Sequence, residues 1–118
     1  MAIIESDFRN LNIRYNLSEE IWKKVPKVYQ CLDGWLGFAN GASGEQGIPY
    51  WFSFDETEKS ISASVEPGGL QLCANNIDEM EWEAWLSEAK KHATRILGFK
   101  VGEIELGEVG NEIEWLNS

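Results

Sequence analysis

Residues 78–98 carry the pattern that most restricts the fold. Trp82, Trp85, Leu86, Ala89, Ala93 and Ile96 recur at intervals of one, three and four, the period of a helix with one apolar face. Asp78 stands where a side-chain acceptor can cap the first turn; Ile77 precedes it, and Glu81 follows three residues later as the reciprocal acceptor. Lys90, Lys91 and Arg95 gather toward the far end, where the helix dipole favours cations, and Gly98 can take the left-handed exit position. A helix with two tryptophans on its stripe needs a broad apolar surface opposite, which the rest of the chain must supply.

The segments before it read as an antiparallel meander. Residues 50–54 are aromatic and bounded by Pro49 and Asp55-Glu56, and 60–65 alternates Ile61, Ala63 and Val65 with three serines, the period of a half-buried strand. The 55–59 connection makes these a hairpin, and Pro67-Gly68-Gly69 turns the chain into a further strand over 70–74; 35–38 has room for a short one. An earlier helix opens at Ser18, with Glu19 and Glu20 in its first turn and an apolar face running from Ile21 to Leu32. Pro26 interrupts that face, so either the helix kinks or a short helix hands over to a second one at Pro26. After Gly98, Phe99 and Val101 and then Ile104 and Leu106 predict a strand over 99–106, with a bulge near Gly102-Glu103 that restores the register. Ile113-Glu114-Trp115 reads as a short last strand or edge. The expectation is one domain over 1–118 of α+β class, two main helices packed on a mostly antiparallel sheet of about four to six strands.

Charge limits the partners. The 118 residues hold twenty Asp/Glu and ten Lys/Arg, a net charge of -10, with nine acids and six bases in 1–60 against eleven and four in 61–118. Disordered acidic chains are poor in aromatics, whereas this one has fourteen. A folded module with a strongly negative surface has a basic protein as its natural counterpart, and nucleic acid and anionic membranes, which need a cationic surface, are disfavoured. Cys31 and Cys73 are too few for a disulfide framework and read as small buried thiols of a reducing compartment. The N-terminus has neither the basic flank nor the apolar run of a signal peptide, and no stretch approaches the ~20 apolar residues of a membrane span, so the expected location is cytoplasmic.

Catalytic groups are scarce. His92 is the single histidine and lies one turn after Glu88, which an i,i+4 pair explains. With two distant cysteines it makes none of the usual zinc sets, so no metal and no cofactor are expected. Asp55, Glu56 and Glu58 read as a solvated hairpin turn, while Glu103 and Glu105 would line one face of the predicted last strand. Carboxylates so placed can hold a divalent ion or do acid–base work, but no companion groups favour either, and the expectation is a chain that is not an enzyme. The glycine-rich stretch 40–47 lacks the Gly-Lys-Ser/Thr ending of a phosphate-binding loop and reads as a flexible loop or an adaptable contact. Trp82, Trp85 and Trp22 belong to the core. Trp51, between Tyr50 and Phe52, puts aromatics on both faces of its strand. Trp35 and Trp115 are the candidates for exposed anchors at an interface.

An aromatic amphipathic helix with Trp82-Glu83-Ala84-Trp85-Leu86 at its head runs through Ile96-Leu97-Gly98 directly into Phe99-Lys100-Val101-Gly102-Glu103-Ile104-Glu105. This junction, about a quarter of the chain, resembles the small acidic immunity proteins encoded next to bacterial polymorphic toxins, including those of contact-dependent growth inhibition systems. The resemblance implies a protein with no catalysis of its own that binds a cognate basic toxin domain, in many cases a nuclease, and covers its active site or a neighbouring surface. Glu103, Glu105 and Glu108, or Asp55, Glu56 and Glu58, would be the electrostatic contacts, with Trp35 and Trp115 as anchors. Two other readings stand beside it: an acidic adaptor or regulatory subunit of a cytoplasmic complex, and a small enzyme built on clustered carboxylates. An exposed aromatic strand face would serve a homodimer equally well.

Overall fold

The computed structural model describes residues 2–39 and 47–117. The elements run β1 (Ile3–Leu11), α1 (Glu19–Trp22), α2 (Val25–Gln30), β2 (Trp35–Phe38), β3 (Pro49–Trp51), β4 (Ser60–Glu66), β5 (Gly69–Asp78) and α3 (Glu79–Leu97). The five strands form one sheet in the order β1-β5-β4-β3-β2, and every neighbouring pair is antiparallel. The α+β expectation holds, with the first helix divided in two. The chain chooses handover over kink at Pro26, which sits in the first turn of α2, where a missing N–H costs nothing.

The caps follow from the residue types. Ser18 accepts from the Ile21 amide at the start of α1, and Asp78 accepts from the Met80 and Glu81 amides at the start of α3. Glu81 does not close the reciprocal half of that box; its carboxylate meets Lys59 Nζ at 2.7 Å. Gly98 ends α3 with φ +85, the left-handed exit a side chain resists.

One face of the sheet carries the core. Ile61 and Ala63 of β4 and Leu70, Leu72 and Ala74 of β5 are buried there with Val25, Val28 and Tyr29 of α2 and with the α3 stripe, including Trp82, Trp85 and Leu86. Trp51 is wholly buried at the centre, its ring 5.3 Å from Tyr29, 5.3 Å from Trp35 and 5.1 Å from Trp85. Its indole N–H reaches the Tyr29 carbonyl at 3.1 Å. Asn76 adopts φ +53, which asparagine tolerates, and the reversal it introduces lets both Ala74 and Ile77 reach the core although they lie an odd number of residues apart.

The N-terminal strand is absent from the sequence reading, and its pattern explains why. Opposite Ala74, Leu72 and Leu70 of β5 stand Asp7, Arg9 and Leu11, so two of three helix-facing positions are charged, while the apolar Phe8 points to the other side. The alternation that marks a strand is therefore inverted.

Residues 99–106 depart from expectation in the opposite sense. Phe99 and Val101 are buried, but no strand forms. Only single bridges join Leu11 to Glu103 and Phe99 to Trp115, and residues 104–107 turn away. Gly102 and Ile104 bond the backbone of Asn12 and Asn10 at the end of β1. The segment is a latch across a sheet edge, with its alternation set by irregular packing.

Gly69 is fixed by close approach. Its φ is +141, and a Cβ there would lie 2.2 Å from the Leu11 carbonyl oxygen. Gly69→Ala is expected to lower stability by about 2 kcal/mol or more, read as a fall in the urea midpoint. A loss below about 0.5 kcal/mol would show that β1 yields easily at this contact.

Candidate functional site

Three groups of acidic residues occupy different environments, and only part of the sequence-predicted set lies on one accessible surface. The hairpin between β3 and β4 holds the first. Asp55, Glu56 and Glu58 are all exposed, and each accepts from neutral donors: Asp55 from the amide and hydroxyl of Thr57 (2.9 and 2.6 Å), Glu56 from the Tyr50 hydroxyl (3.1 Å), Glu58 from the Ser53 hydroxyl (3.0 Å). The Thr57 hydroxyl, and then its amide, hold the Asp55 carboxyl below its ordinary range, so it stays ionised. Among the described residues no cation forms an ion pair with any of the three. Their negative charge faces solvent uncompensated.

The second group lies at the latch. Glu103 is not a surface residue: its side chain is 2% exposed, with one carboxylate oxygen 2.6 Å from Arg9 Nη1 and the other 2.8 Å from Lys90 Nζ. The sequence expectation that Glu103 and Glu105 share an exposed strand face is thereby corrected. Without a strand at 99–106, Glu103 turns inward to the two cations while Glu105 turns out to Asn10 Nδ2. Arg9 also reaches Asp7 at 3.0 Å and pairs with Glu83 of α3, and Asp7 in turn accepts from the Trp82 indole N–H at 2.8 Å. Glu108 accepts from the Glu103 amide at 2.8 Å and pairs with Lys90 at 3.2 Å. The amide, and then Lys90, hold its carboxyl below the ordinary range against the pull of burial. Burial alone would lower the Lys90 ammonium, but its bonds to Glu103 and Glu108 outweigh that and raise it. This network fastens the latch to β1 and α3. It is structural: two cations serve its four carboxylates, and the buried one, Glu103, is paired with both.

The third group is set by the sheet face opposite the helices. Register places Phe8, Cys73, Ser62 and Tyr50 in one row across β1, β5, β4 and β3, with Asn10, Gln71 and Ser64 beside it. No helix among the described residues covers this face. Phe8 is 56% exposed at one side, and at the other Tyr50 lies tilted against the exposed Phe54 at 5.5 Å. Glu56 bonds Tyr50, Glu66 bonds Ser64, and Glu105 bonds Asn10, so acids stand around it.

The remaining expected residues separate. Trp35 is half-buried, packed on Tyr29, Phe38 and Trp51, and belongs to the core more than to an interface. Trp115 is 48% exposed and lies edge-on to Phe99 at 5.5 Å. The cysteines correct the buried-thiol expectation: Cys31 is exposed at the end of α2 and Cys73 is half-buried on the helix-free face, both free. His92 pairs with Glu88 at 3.3 Å, as its spacing predicts, and meets Arg95 at 2.9 Å. Of the stretch 40–47, read as a flexible loop or an adaptable contact, residues 40–46 lie outside the described residues. Phe8 is missing from the surface candidates because β1 is missing, its signal being an aromatic between two oppositely charged neighbours, whereas the aromatic strand at 50–54 was expected to show a second face.

Two clefts flank the helices. One of about 550 Å³ lies between α2 and the sheet, with Trp22, Pro26, Tyr29 and Val65 among its walls. The other, about 420 Å³, holds Cys31, Asp33, Glu81, Glu88 and His92, but Glu81 is engaged by Lys59 and Glu88 by His92. No group of three or more His, Cys, Asp or Glu among the described residues is arranged to hold a metal ion. No helix among them is long and apolar enough to cross a membrane. Comparison with protein-family models, curated proteins and solved structures returns no match.

Proposed function

We propose that this chain is an immunity protein, a binding domain that neutralises a cognate basic nuclease toxin domain by covering its active site or an adjacent surface. The observation that carries the reading is the contrast between the two acidic groups. Of the latch carboxylates, Glu103 and Glu108 are paired with Arg9 and Lys90, whereas Asp55, Glu56 and Glu58 stand exposed with only neutral donors. A groove that holds nucleic-acid phosphates must be cationic, and an inhibitor with uncompensated surface charge meets it by long-range attraction. The resemblance at the α3–latch junction points the same way.

Co-expression with the toxin domain encoded immediately upstream tests this. Cells are expected to survive, and the two proteins to co-elute as a complex; continued killing with no complex would sink the proposal. Reversing Asp55, Glu56 and Glu58 to lysine should slow association about tenfold or more at low salt, an effect that fades as salt is raised. An unchanged on-rate would move the contact away from this hairpin.

A further inference from the structure

We infer that the helix-free face of the sheet, with Phe8 and the Tyr50–Phe54 pair as its aromatic sides, is the contact surface for a cationic segment of a protein partner. This rests on the proposed function for the identity of that partner, but the surface itself is argued from register and charge.

The five strands contain a single Lys or Arg, Arg9. Arg9 stands opposite Leu72 on the helix side, where its guanidinium is bound by Asp7, Glu83 and Glu103. Lys59, one residue before β4, likewise turns to the helix layer, pairing with Glu81 and lying 4.2 Å over the Phe52 ring. The helix-free face thus has no cation at any strand position, while Glu56, Glu66 and Glu105 all bond residues that belong to it. A negative field reaches its middle. Burial first, and the Glu56 charge second, push the Cys73 thiol up, and burial followed by Glu56 does the same to the Tyr50 hydroxyl.

The charge decides between occupants. A second copy of this chain would set one cation-free face against another, and like charges juxtaposed across an interface cost several kcal/mol. A basic segment gains from the same field. Shape fits as well. Phe8 and Tyr50 are three strand spacings apart, about 14 Å, with the small Cys73 and Ser62 between them. That separation admits an α-helix with its side chains, about 10–12 Å across. The aromatic sides would supply the desolvated centre and the carboxylates the rim, the usual division at interfaces.

The test uses the full chain, isotope-labelled, titrated with a synthetic amphipathic leucine–lysine peptide and separately with its leucine–glutamate counterpart, followed by amide chemical shifts. Salt-sensitive shifts are expected at Phe8, Asn10, Tyr50, Ser64, Gln71 and Cys73 with the lysine peptide alone. Gln71→Lys, and independently Asn10→Lys, should weaken binding about tenfold, while Glu88→Lys on α3 should change it little. Shifts confined to the helix layer, equal binding of the glutamate peptide, or insensitivity to both face variants would overturn the inference. The peptide needs no toxin, so a failed co-expression leaves this result standing and a failed titration leaves the co-expression result standing.

Discussion

Trp51→Ala is expected to lower the stability of the domain by about 4 kcal/mol, within the range for truncating a buried large aromatic. The side chain is 0% exposed and touches three other aromatic rings from α2, β2 and α3. Truncation therefore removes a group that ties the β2–β3 pair to α2 and α3, and leaves a cavity whose walls are rigid rings. It also removes the indole donor to the Tyr29 carbonyl, which is left with the Leu32 amide. At roughly 4 °C per kcal/mol for a domain of this size, the midpoint of thermal unfolding should fall by about 15 °C, with collapse of the near-ultraviolet tryptophan signal. Trp35→Phe, at a half-buried ring on the rim of the same cluster, should cost less than half as much. A loss under about 1 kcal/mol for Trp51→Ala would mean that the cluster does not organise the core.

The contrast between Trp51 and its neighbours shows what was legible in the chain. Helix α3 was readable in full because its stripe, its Asp78 cap and its Gly98 exit agree with one another, and agreement between local signals is what makes a sequence specify a structure. β4 was equally plain, since serine on one face and aliphatic residues on the other leave only one register. β1 was hidden because an ion network occupies the positions where apolar residues would announce a strand: Asp7 and Arg9 face the helices and are satisfied by Trp82, Glu83 and Glu103. The partners lie 74 or more residues away along the chain, beyond the reach of any window-based pattern. The latch failed for the complementary reason. Its apolar residues alternate as a strand's do, yet Glu103, the most polar of them by type, is buried. Of the candidate site, the hairpin acids were legible as a solvated turn. The helix-free face was not, because one of its two aromatic sides, Phe8, stands on β1.

Arg9→Met is expected to destabilise the protein by about 3 kcal/mol, the order found when one member of a buried ion pair is removed. The guanidinium holds three carboxylates, and one of them, Glu103, has a side chain only 2% exposed. Without it Glu103 keeps Lys90 alone, and Asp7 and Glu83 lose a shared cation. Adding Glu103→Leu should recover part of the loss, since an apolar pair in place of a buried ion pair is often neutral or better. The sign of that coupling, measured in a double-mutant cycle, separates an ion-pair network from mere packing by the long Arg9 stem. Acid provides the independent readout. The Glu108 carboxyl is held below its ordinary value of 4.5 by the Glu103 amide and then by Lys90. A depressed folded-state value stabilises the protein above the unfolded value, and that contribution is lost as pH falls through the folded one. Stability should therefore begin to decline below about pH 5, and Glu108→Gln should flatten that limb while lowering the plateau above it. Should Glu108→Gln leave the acid limb unchanged, the latch is not fastened by this carboxylate, and the descent belongs to other acids of the surface.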